Sequence, residues 1–207
     1  MPNTLVLPKT NDAVIRKALR KSLRKDYEKK KDTKIIEELG LKHGSARIDI
    51  AVVNGVIHGY ELKSDLDTLM RLPEQMKVYN STLDRVTLVV SKNHLHEAIR
   101  LVPEWWGIII ARSIDLSGNI KFFEIRDAEE NPSRDTFSIT KLLWREEALN
   151  ILEEFGYAGG LRSKSRSEIY YKLTTVLNQD ELRSRVRTCL RTRVGWRSVK
   201  QYKLCGD

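Results

Sequence analysis

The chain has 207 residues, of which 41% are hydrophobic, and its formal net charge is +9. That length favours one domain with an accessory segment, and the charge favours a polyanionic partner such as nucleic acid. The two cysteines lack metal-ligand spacing and no apolar run approaches the ~18 residues of a membrane span, which argues against a disulfide scaffold, a zinc site and membrane association. We therefore expect a cytoplasmic protein.

The first predicted element is a helix that is capped by Thr10 or Asn11 and runs to about Lys31. Its apolar residues recur every four positions and form one stripe, while Lys and Arg crowd the other side. That basic side is either solvated or in contact with DNA. The apolar positions are Ile15, Leu19, Leu23 and Tyr27.

The next segment, KIIEELGL at residues 34–41, is typical of a strand, although a short helix stays open. Successive side chains of a strand point to opposite faces, so Glu37 and Glu38 would face opposite ways. Since Ile35 and Ile36 are both apolar, periodicity does not decide which glutamate could add a carboxylate to a site. Both could also be exposed.

Residues 47–63, RIDIAVVNGVIHGYELK, predict two strands joined by an Asn-Gly turn. A two-residue turn would place Asp49 and Glu61 on opposite faces of the hairpin. A three-residue loop, Val53-Asn54-Gly55 with Gly55 left-handed in a bulge, would instead put both carboxylates on one face. The sequence predicts this bulged form.

The bulged register makes further predictions about pairing. It sets Arg47 opposite Glu61, and it sets Asp49 opposite Gly59, where a missing side chain would leave room for a metal or a phosphate. Lys63 would share a face with Glu61 because the two are two residues apart.

Two acids and a lysine on one side of a hairpin are the minimum that holds a hard divalent cation and a water beside a phosphodiester. Burying such charges costs several kcal/mol unless they are compensated. A bound metal is one compensation. An ion pair between Arg47 and Glu61, or between Lys63 and Asp49, is the structural alternative.

A helix predicted from Pro73 to Asn80 carries Gln75 and Tyr79 four residues apart, hence on one face. Beyond it, residues 85–90 and 106–111 are apolar runs typical of buried strands, and 119–125 is typical of an edge strand. A helix at 94–101 separates the first two runs, which indicates parallel strands covered on both sides.

The polar segment 126–135 marks a predicted boundary between a core at 1–127 and a basic helical segment at 136–207 that is a candidate for binding nucleic acid. We expect one helix starting at Ser138, with apolar residues as far as Phe155, stopped by Gly156. Two shorter helices would begin at the capping sequences of Ser165 and Asn178.

The last of these helices carries a basic stripe. From Arg162 to Lys203 there are twelve Lys and Arg against three Asp and Glu, whereas the opposite charges in the rest of the chain cancel. Arg183, Arg187 and Arg191 recur every four residues and would suit DNA phosphates, contacts that carry no sequence information. Arg47, at the start of the hairpin, is a further candidate for binding nucleic acid.

In combination these features resemble the PD-(D/E)XK nuclease superfamily. The glutamine–tyrosine helix is similar to that of its RecB-type and lambda-exonuclease-type branch, and residues 44–80 also resemble a small, poorly characterised bacterial and phage family within it. Isoleucine rather than proline precedes the aspartate, a common departure. The matching residues are Asp49, Glu61-Leu62-Lys63 and Gln75-x-x-x-Tyr79.

The resemblance implies an α/β fold of the restriction-endonuclease-like type, with a mixed central sheet flanked by helices and a helical C-terminal segment. It also implies a nuclease that depends on Mg²⁺ or Mn²⁺ and hydrolyses phosphodiester bonds of DNA. Asp49 and Glu61 would bind the metal, joined by the carbonyl of Leu62 and by Glu38 as an extra acid.

In the same terms, Lys63 would orient the attacking water or stabilise the developing charge. Gln75 and Tyr79 would help to place the metal-bound carboxylate or the DNA. An RNA-directed nuclease and a catalytically inactive DNA-binding or adaptor protein on the same scaffold stay open, as does a homodimer.

Overall fold

The protein, described here by a computed structural model for residues 7–194, contains a mixed sheet of six strands. The strands are β1 (Lys34–Leu41), β2 (Ala46–Val53), β3 (Ile57–Lys63), β4 (Arg85–Ser91), β5 (Gly107–Ser113) and β6 (Ile120–Arg126). They lie in the order β1-β2-β3-β4-β5-β6, with the pairs β3–β4 and β4–β5 parallel and the other neighbouring pairs antiparallel.

Helices cover both faces of this sheet, which confirms the predicted α/β class with a mixed sheet, flanking helices and a helical C-terminal segment. The helices are α1 (Asp12–Tyr27), α2 (Leu72–Thr82), α3 (Leu95–Leu101), α4 (Thr136–Thr140), α5 (Arg145–Glu154), α6 (Arg166–Val176) and α7 (Gln179–Thr192). No helix within residues 7–194 is long and apolar enough to cross a membrane.

The first face is covered by α1. The Asn11 side chain accepts a hydrogen bond from the Val14 backbone N–H at 3.0 Å and caps the helix, as one of the two predicted residues. The apolar stripe of Ile15, Leu19 and Leu23 is buried against strand side chains that include Ile50. Each such side chain contributes about 1.5–3 kcal/mol through burial.

The second face is covered by α2 to α7, and a single apolar cluster joins them to the sheet. It extends from Leu39 on β1, through Tyr79 on α2 and Trp106 before β5, to Leu173 on α6 and Leu190 on α7. The polar segment predicted as a boundary lies between β6 and α4, but the helices beyond it share their core with the strands before it.

The helix predicted to begin at Ser138 is wrong in extent, because two helices replace it. The Asp135 carboxylate accepts hydrogen bonds from the backbone N–H groups of Phe137 and Ser138 and caps α4, so Ser138 lies inside that helix. An extended residue, Trp144, then separates α4 from α5. Ser165 and Asn178 cap α6 and α7 as predicted.

The β2–β3 hairpin has a three-residue loop, but its position differs from the predicted one. Val53 pairs with Ile57, so the loop is residues 54–56, and Asn54 closes it through its backbone N–H and its side-chain oxygen. Gly55 is not left-handed, so the predicted bulge is wrong. The strands are shifted by two residues from the predicted register, which leaves the alternation of faces unchanged.

The shift gives Gly59 a different neighbour and a different role. Gly59 pairs with Ala51, not with Asp49. A Cβ atom at Gly59 would lie 2.6 Å from Leu83 Cδ1 and 3.0 Å from Ile48 Cγ1, so core side chains fill the space above it. The predicted room for a metal or a phosphate at this residue is therefore wrong.

Candidate active site

Strands β2 and β3 separate at Asp49. Their paired residues end with Ile50 and Tyr60. Beyond that pair, Asp49 Oδ2 accepts a hydrogen bond of 2.8 Å from the Leu62 backbone N–H, so a side chain takes the place of a ladder carbonyl. The carboxylate is thereby fixed between the two strands at the carboxyl end of β3.

A local reversal of strand faces gives Asp49 this position. Ile48 and Ala51 are three residues apart on β2, yet both pack into the larger apolar cluster. Strict alternation would place them on opposite faces, so the strand rotates between them. On β1, Glu38 lies opposite this point and has a φ of 55°, a left-handed conformation that is uncommon for a residue with a side chain.

Glu61 is the buried centre of the site, with 2% of its surface exposed. Its Oε1 accepts hydrogen bonds from Lys63 Nζ at 2.8 Å and from Gln75 Nε2 at 2.9 Å. Its Oε2 accepts one from the Tyr79 hydroxyl at 2.8 Å. The strand alternation and the four-residue helical spacing thus bring four of the sequence-predicted residues into direct contact.

Tyr79 ties this cluster to the hairpin. Its side chain is fully buried, and its hydroxyl lies 2.7 Å from the Arg47 carbonyl oxygen as well as 2.8 Å from Glu61 Oε2. Both are acceptors, and the hydroxyl has one proton to donate. Gln75 Nε2 also donates to the hydroxyl oxygen at 3.1 Å, so α2 holds Glu61 in a single orientation.

Burial is the main influence on the proton affinities of the site. It raises the pKa of Glu61, and the nearby Asp49 charge raises it further, whereas Lys63 and Tyr79 act in the opposite direction. Burial also raises the pKa of Asp49, more than the Leu62 N–H and the Arg16 charge lower it. Burial and then Glu61 raise the pKa of Tyr79. The hydroxyl is therefore a donor at neutral pH.

Arg16, on α1, is a site residue that the sequence did not reveal. Its Nη2 lies 2.7 Å from Asp49 Oδ1 and its Nη1 donates to the Asp49 carbonyl oxygen at 3.0 Å. Asp12 on the same helix accepts from Arg16 Nε and Nη2 and fixes the guanidinium. The one available signal was its place beside Ile15, at the margin of the buried stripe, and that does not identify a partner.

Neither of the two ion pairs considered as alternatives to a bound metal forms in the structure. Lys63 pairs with Glu61 and not with Asp49. Arg47 Nη1 lies 3.5 Å from Glu38 and does not pair with Glu61. Glu38 has half of its side chain exposed and takes no part in the hydrogen bonds around Glu61. The structure therefore does not bring this predicted additional ligand into the cluster.

The predicted basic stripe on α7 is wrong at Arg183, which is 3% exposed and pairs with the buried Asp84 at 2.8 Å. A buried guanidinium cannot reach a phosphate at the surface. Arg187 and Arg191 are partly exposed, and Arg191 donates to the Asp32 carbonyl oxygen at 3.3 Å. The part of the predicted basic segment that follows residue 194 lies outside the described residues.

The donors around Asp49 and Glu61 suit a hard cation. Each ionised carboxylate has about four lone-pair directions, of which hydrogen bonds use two at Asp49 and three at Glu61. Mg²⁺ typically takes one or two carboxylates and completes its shell with water and phosphate oxygens. Among residues 7–194, no three His, Cys, Asp or Glu side chains form a metal-binding group, and the cluster offers an ion two carboxylates, those of Asp49 and Glu61.

The fold and the site define an α/β protein with a mixed six-stranded sheet and a buried cluster of carboxylates, lysine, glutamine and tyrosine at the end of β3. A family model described as Bacteriophage P4 protein cII matches residues 6–203. The chain belongs to this family.

Individual similarities are more distant. Protein cII of Enterobacteria phage P4 is 26% identical over 162 residues, which are 78% of this chain and 60% of that protein. The chain thus spans less than two thirds of that relative. A solved structure, described as SPO1766 protein of unknown function from Silicibacter pomeroyi, is 22% identical with a TM-score of 0.41, over 73% of this chain and 94% of that one.

Proposed function

We propose that this protein is a metal-dependent nuclease of the PD-(D/E)XK type that hydrolyses phosphodiester bonds of DNA. The observation that carries the proposal is the environment of Glu61, a buried carboxylate held by Lys63, Gln75 and Tyr79 beside Asp49. Well-packed apolar residues often stabilise a fold as well as a buried ion pair does, so such a cluster calls for a role beyond stability.

Asp49 and Glu61 would hold Mg²⁺ or Mn²⁺, with the Leu62 carbonyl as a further candidate ligand. The ion would supply Lewis acidity to the scissile phosphate and lower the pKa of a water. Gln75 and Tyr79 keep the Glu61 oxygens in place, so little reorganisation is required when substrate binds. Lys63 Nζ, 2.8 Å from Glu61 Oε1, can orient a water or stabilise charge on the phosphate oxygens.

The direct test is cleavage by the whole protein. Linear, circular and single-stranded DNA and RNA would be incubated with it in Mg²⁺, Mn²⁺ or EDTA. We expect metal-dependent cleavage of DNA that is lost in Glu61→Gln and in Lys63→Met while DNA binding persists. Cleavage of RNA alone would replace the substrate class and keep the chemistry.

Glu74→Gln and Lys77→Met are matched controls, because this exposed pair on α2 repeats the carboxylate–lysine contact outside the site. Both controls should cleave like the unaltered protein. Undiminished cleavage by Glu61→Gln and Lys63→Met together would contradict the assignment.

A second candidate function is nucleic-acid binding without cleavage on the same scaffold. The contact that favours it is the Arg16–Asp49 ion pair, because the guanidinium already neutralises one of the two carboxylates. Titration of Mn²⁺ by calorimetry separates the candidates. Under the nuclease proposal, Arg16→Gln removes a competing cation and tightens Mn²⁺ binding, whereas Asp49→Asn weakens it. Absence of Mn²⁺ binding by the unaltered protein and by Arg16→Gln would favour the second candidate.

A further inference from the structure

A groove of about 850 Å³ runs between α1 and the β5–β6 hairpin, apart from the Asp49–Glu61 cluster. One wall is the outer side of α1 and carries Lys17, Lys21 and Lys25. The other wall is formed by the turn before β6 and by β6 itself, including Phe122. The groove is therefore formed by a helix that precedes the first strand in the chain and by the last strand of the sheet.

The lysine wall is a regular row of positive charge. Its members recur every four residues, and the helical rise of 1.5 Å per residue spaces them about 6 Å apart. All three are exposed, and the residues lining the groove include no Asp or Glu. Asp115, in the turn of the hairpin, accepts hydrogen bonds from the side chain and the backbone N–H of Asn119, which lower its pKa.

Two other cationic side chains of α1 form ion pairs within the protein. Arg16 and Arg20, on the sheet side, pair with Asp49 and Glu37 at 2.7 and 2.6 Å. Within residues 7–194, none of the three groove lysines forms an ion pair. Their charge is thus available to a partner, and mutual repulsion along the row is relieved when an anion binds.

Apolar surface lies beside this row. Val14, 38% exposed, and Ala18 line the groove from α1, and Phe122 lines it from β6. Phe122 is partly buried against the apolar cluster under α1, so its ring is held in place. A fitting ligand therefore has an anionic edge and a flat apolar body.

We propose that this groove binds one strand of nucleic acid, with successive phosphates along the lysines and bases against Phe122. A single strand has one row of phosphates and exposes its bases for stacking on an aromatic ring. A duplex covers its base faces and presents two phosphate rows, which a single row of lysines beside an apolar wall matches poorly. A membrane surface is flat, whereas this site is concave.

The groove and the candidate active site both use α1, but on different sides of the helix. Arg16, on the sheet side, contacts Asp49. The lysines that line the groove are Lys17, Lys21 and Lys25. This inference rests on the proposed function for the choice of nucleic acid, but it requires neither metal nor cleavage.

The test is binding in EDTA, measured by fluorescence anisotropy of a labelled thymidine 20-mer and of a duplex of equal length over a series of salt concentrations. The triple variant Lys17→Gln/Lys21→Gln/Lys25→Gln should reduce the slope of log K against log salt for the single strand by about 2, since each neutralised phosphate contributes roughly 0.7. Phe122→Leu should weaken binding roughly 5- to 100-fold at constant salt, through loss of stacking.

The matched control is Lys42→Gln/Lys77→Gln/Lys164→Gln, which removes the same charge from exposed positions outside the groove. Its slope should stay within experimental error of the unaltered protein. Three results would each overturn the proposal. They are an equal loss of slope in both triple variants, tighter binding of the duplex than of the single strand, and a requirement for the groove lysines in binding anionic vesicles but not in binding nucleic acid.

Cleavage measured separately keeps the two proposals distinct. Groove-dependent binding in EDTA without any cleavage in Mn²⁺ would support the groove and contradict the nuclease. Metal-dependent cleavage with single-strand binding that the triple variant does not change would support the nuclease and contradict the groove.

Discussion

The buried pair of Asp84 and Arg183 provides a sharp test of how α7 is attached to the sheet. Asp84 Oδ2 accepts a hydrogen bond from the Ile57 N–H at 2.7 Å, and its Oδ1 accepts from Arg183 at 2.8 Å and from Arg134 at 3.0 Å. Arg183 Nε and Nη2 are buried and have no hydrogen-bond partner among residues 7–194. Asp84 is thus the main compensation for a desolvated cation.

We predict that Asp84→Asn lowers the free energy of unfolding by about 3–5 kcal/mol, because it leaves the Arg183 charge buried and unpaired. For a chain of this size, each kcal/mol lowers the Tm by roughly 2–4 °C, so the expected decrease is about 6–20 °C. Adding Arg183→Met removes the stranded charge. The double variant should therefore be more stable than Asp84→Asn alone.

The measurement is a double-mutant cycle by urea unfolding, with the free energies of unfolding of the unaltered protein, both single variants and the double variant. We expect an interaction energy of about 1–3 kcal/mol between the two positions. The exposed pair Glu74 and Lys77 is the control and should give less than about 1 kcal/mol. Additive effects at Asp84 and Arg183, or a double variant less stable than Asp84→Asn, would refute the reasoning.

Three further outcomes follow from single residues. Tyr79→Phe should cost about 1–3 kcal/mol of unfolding free energy, because it leaves Glu61 Oε2 without its donor; an unchanged urea midpoint would contradict this. Burial lowers the pKa of His58 to about 4, so the unfolded chain takes up the proton first, and stability should fall by up to about 3 kcal/mol as pH decreases from 6.5 towards 4. His58→Gln should remove that part of the pH dependence, and an identical profile would exclude His58 as its source. Gly59→Ala should cost about 1–3 kcal/mol, since its Cβ would meet Leu83 at 2.6 Å, and a neutral or raised Tm would show that Leu83 can move.

Local patterns in the sequence were enough for most of the fold. The four-residue stripe of α1, the apolar runs of β4 and β5 and the capping residues of α6 and α7 each depend on neighbours along the chain, and the structure contains them. The break between α4 and α5 was missed. Leu142 and Leu143 fit a continuous helical period, yet both are buried between the two helices, where tertiary packing decides the backbone.

The hairpin shows the limit of such reasoning. The loop has three residues, as predicted, but the local reversal of strand faces at Asp49 was not predicted. The position of the loop depends on the Asn54 side chain bonding the Val56 N–H, which the Asn-Gly signal does not specify. The predicted register was therefore wrong by two residues, although the loop has the predicted length.

The residues of the candidate site also fall into those that local spacing predicts and those that it does not. Glu61, Lys63, Gln75 and Tyr79 lie on two consecutive elements, where spacing alone brings them together. Arg16 reaches the site from a helix 33 positions before Asp49 in the chain, and no local spacing encodes that contact. The prediction that Arg183 contacts phosphate was wrong because its spacing along α7 does not reveal its burial. A buried arginine beside Leu182 has the same sequence pattern as one at the margin of a solvated helix face.

Because one apolar cluster extends from β1 to α7, no packing boundary separates the sheet from the C-terminal helices within residues 7–194. Lys34, at the start of β1, donates to the carbonyl oxygens of Arg191 and Arg193 at the end of α7, so the two ends of the described core close on each other. A protease that cut between β6 and α4 would not release a stable sheet, since its exposed apolar face would aggregate. The C-terminal helices could therefore be replaced by others only if the residues that pack them against the sheet changed at the same time.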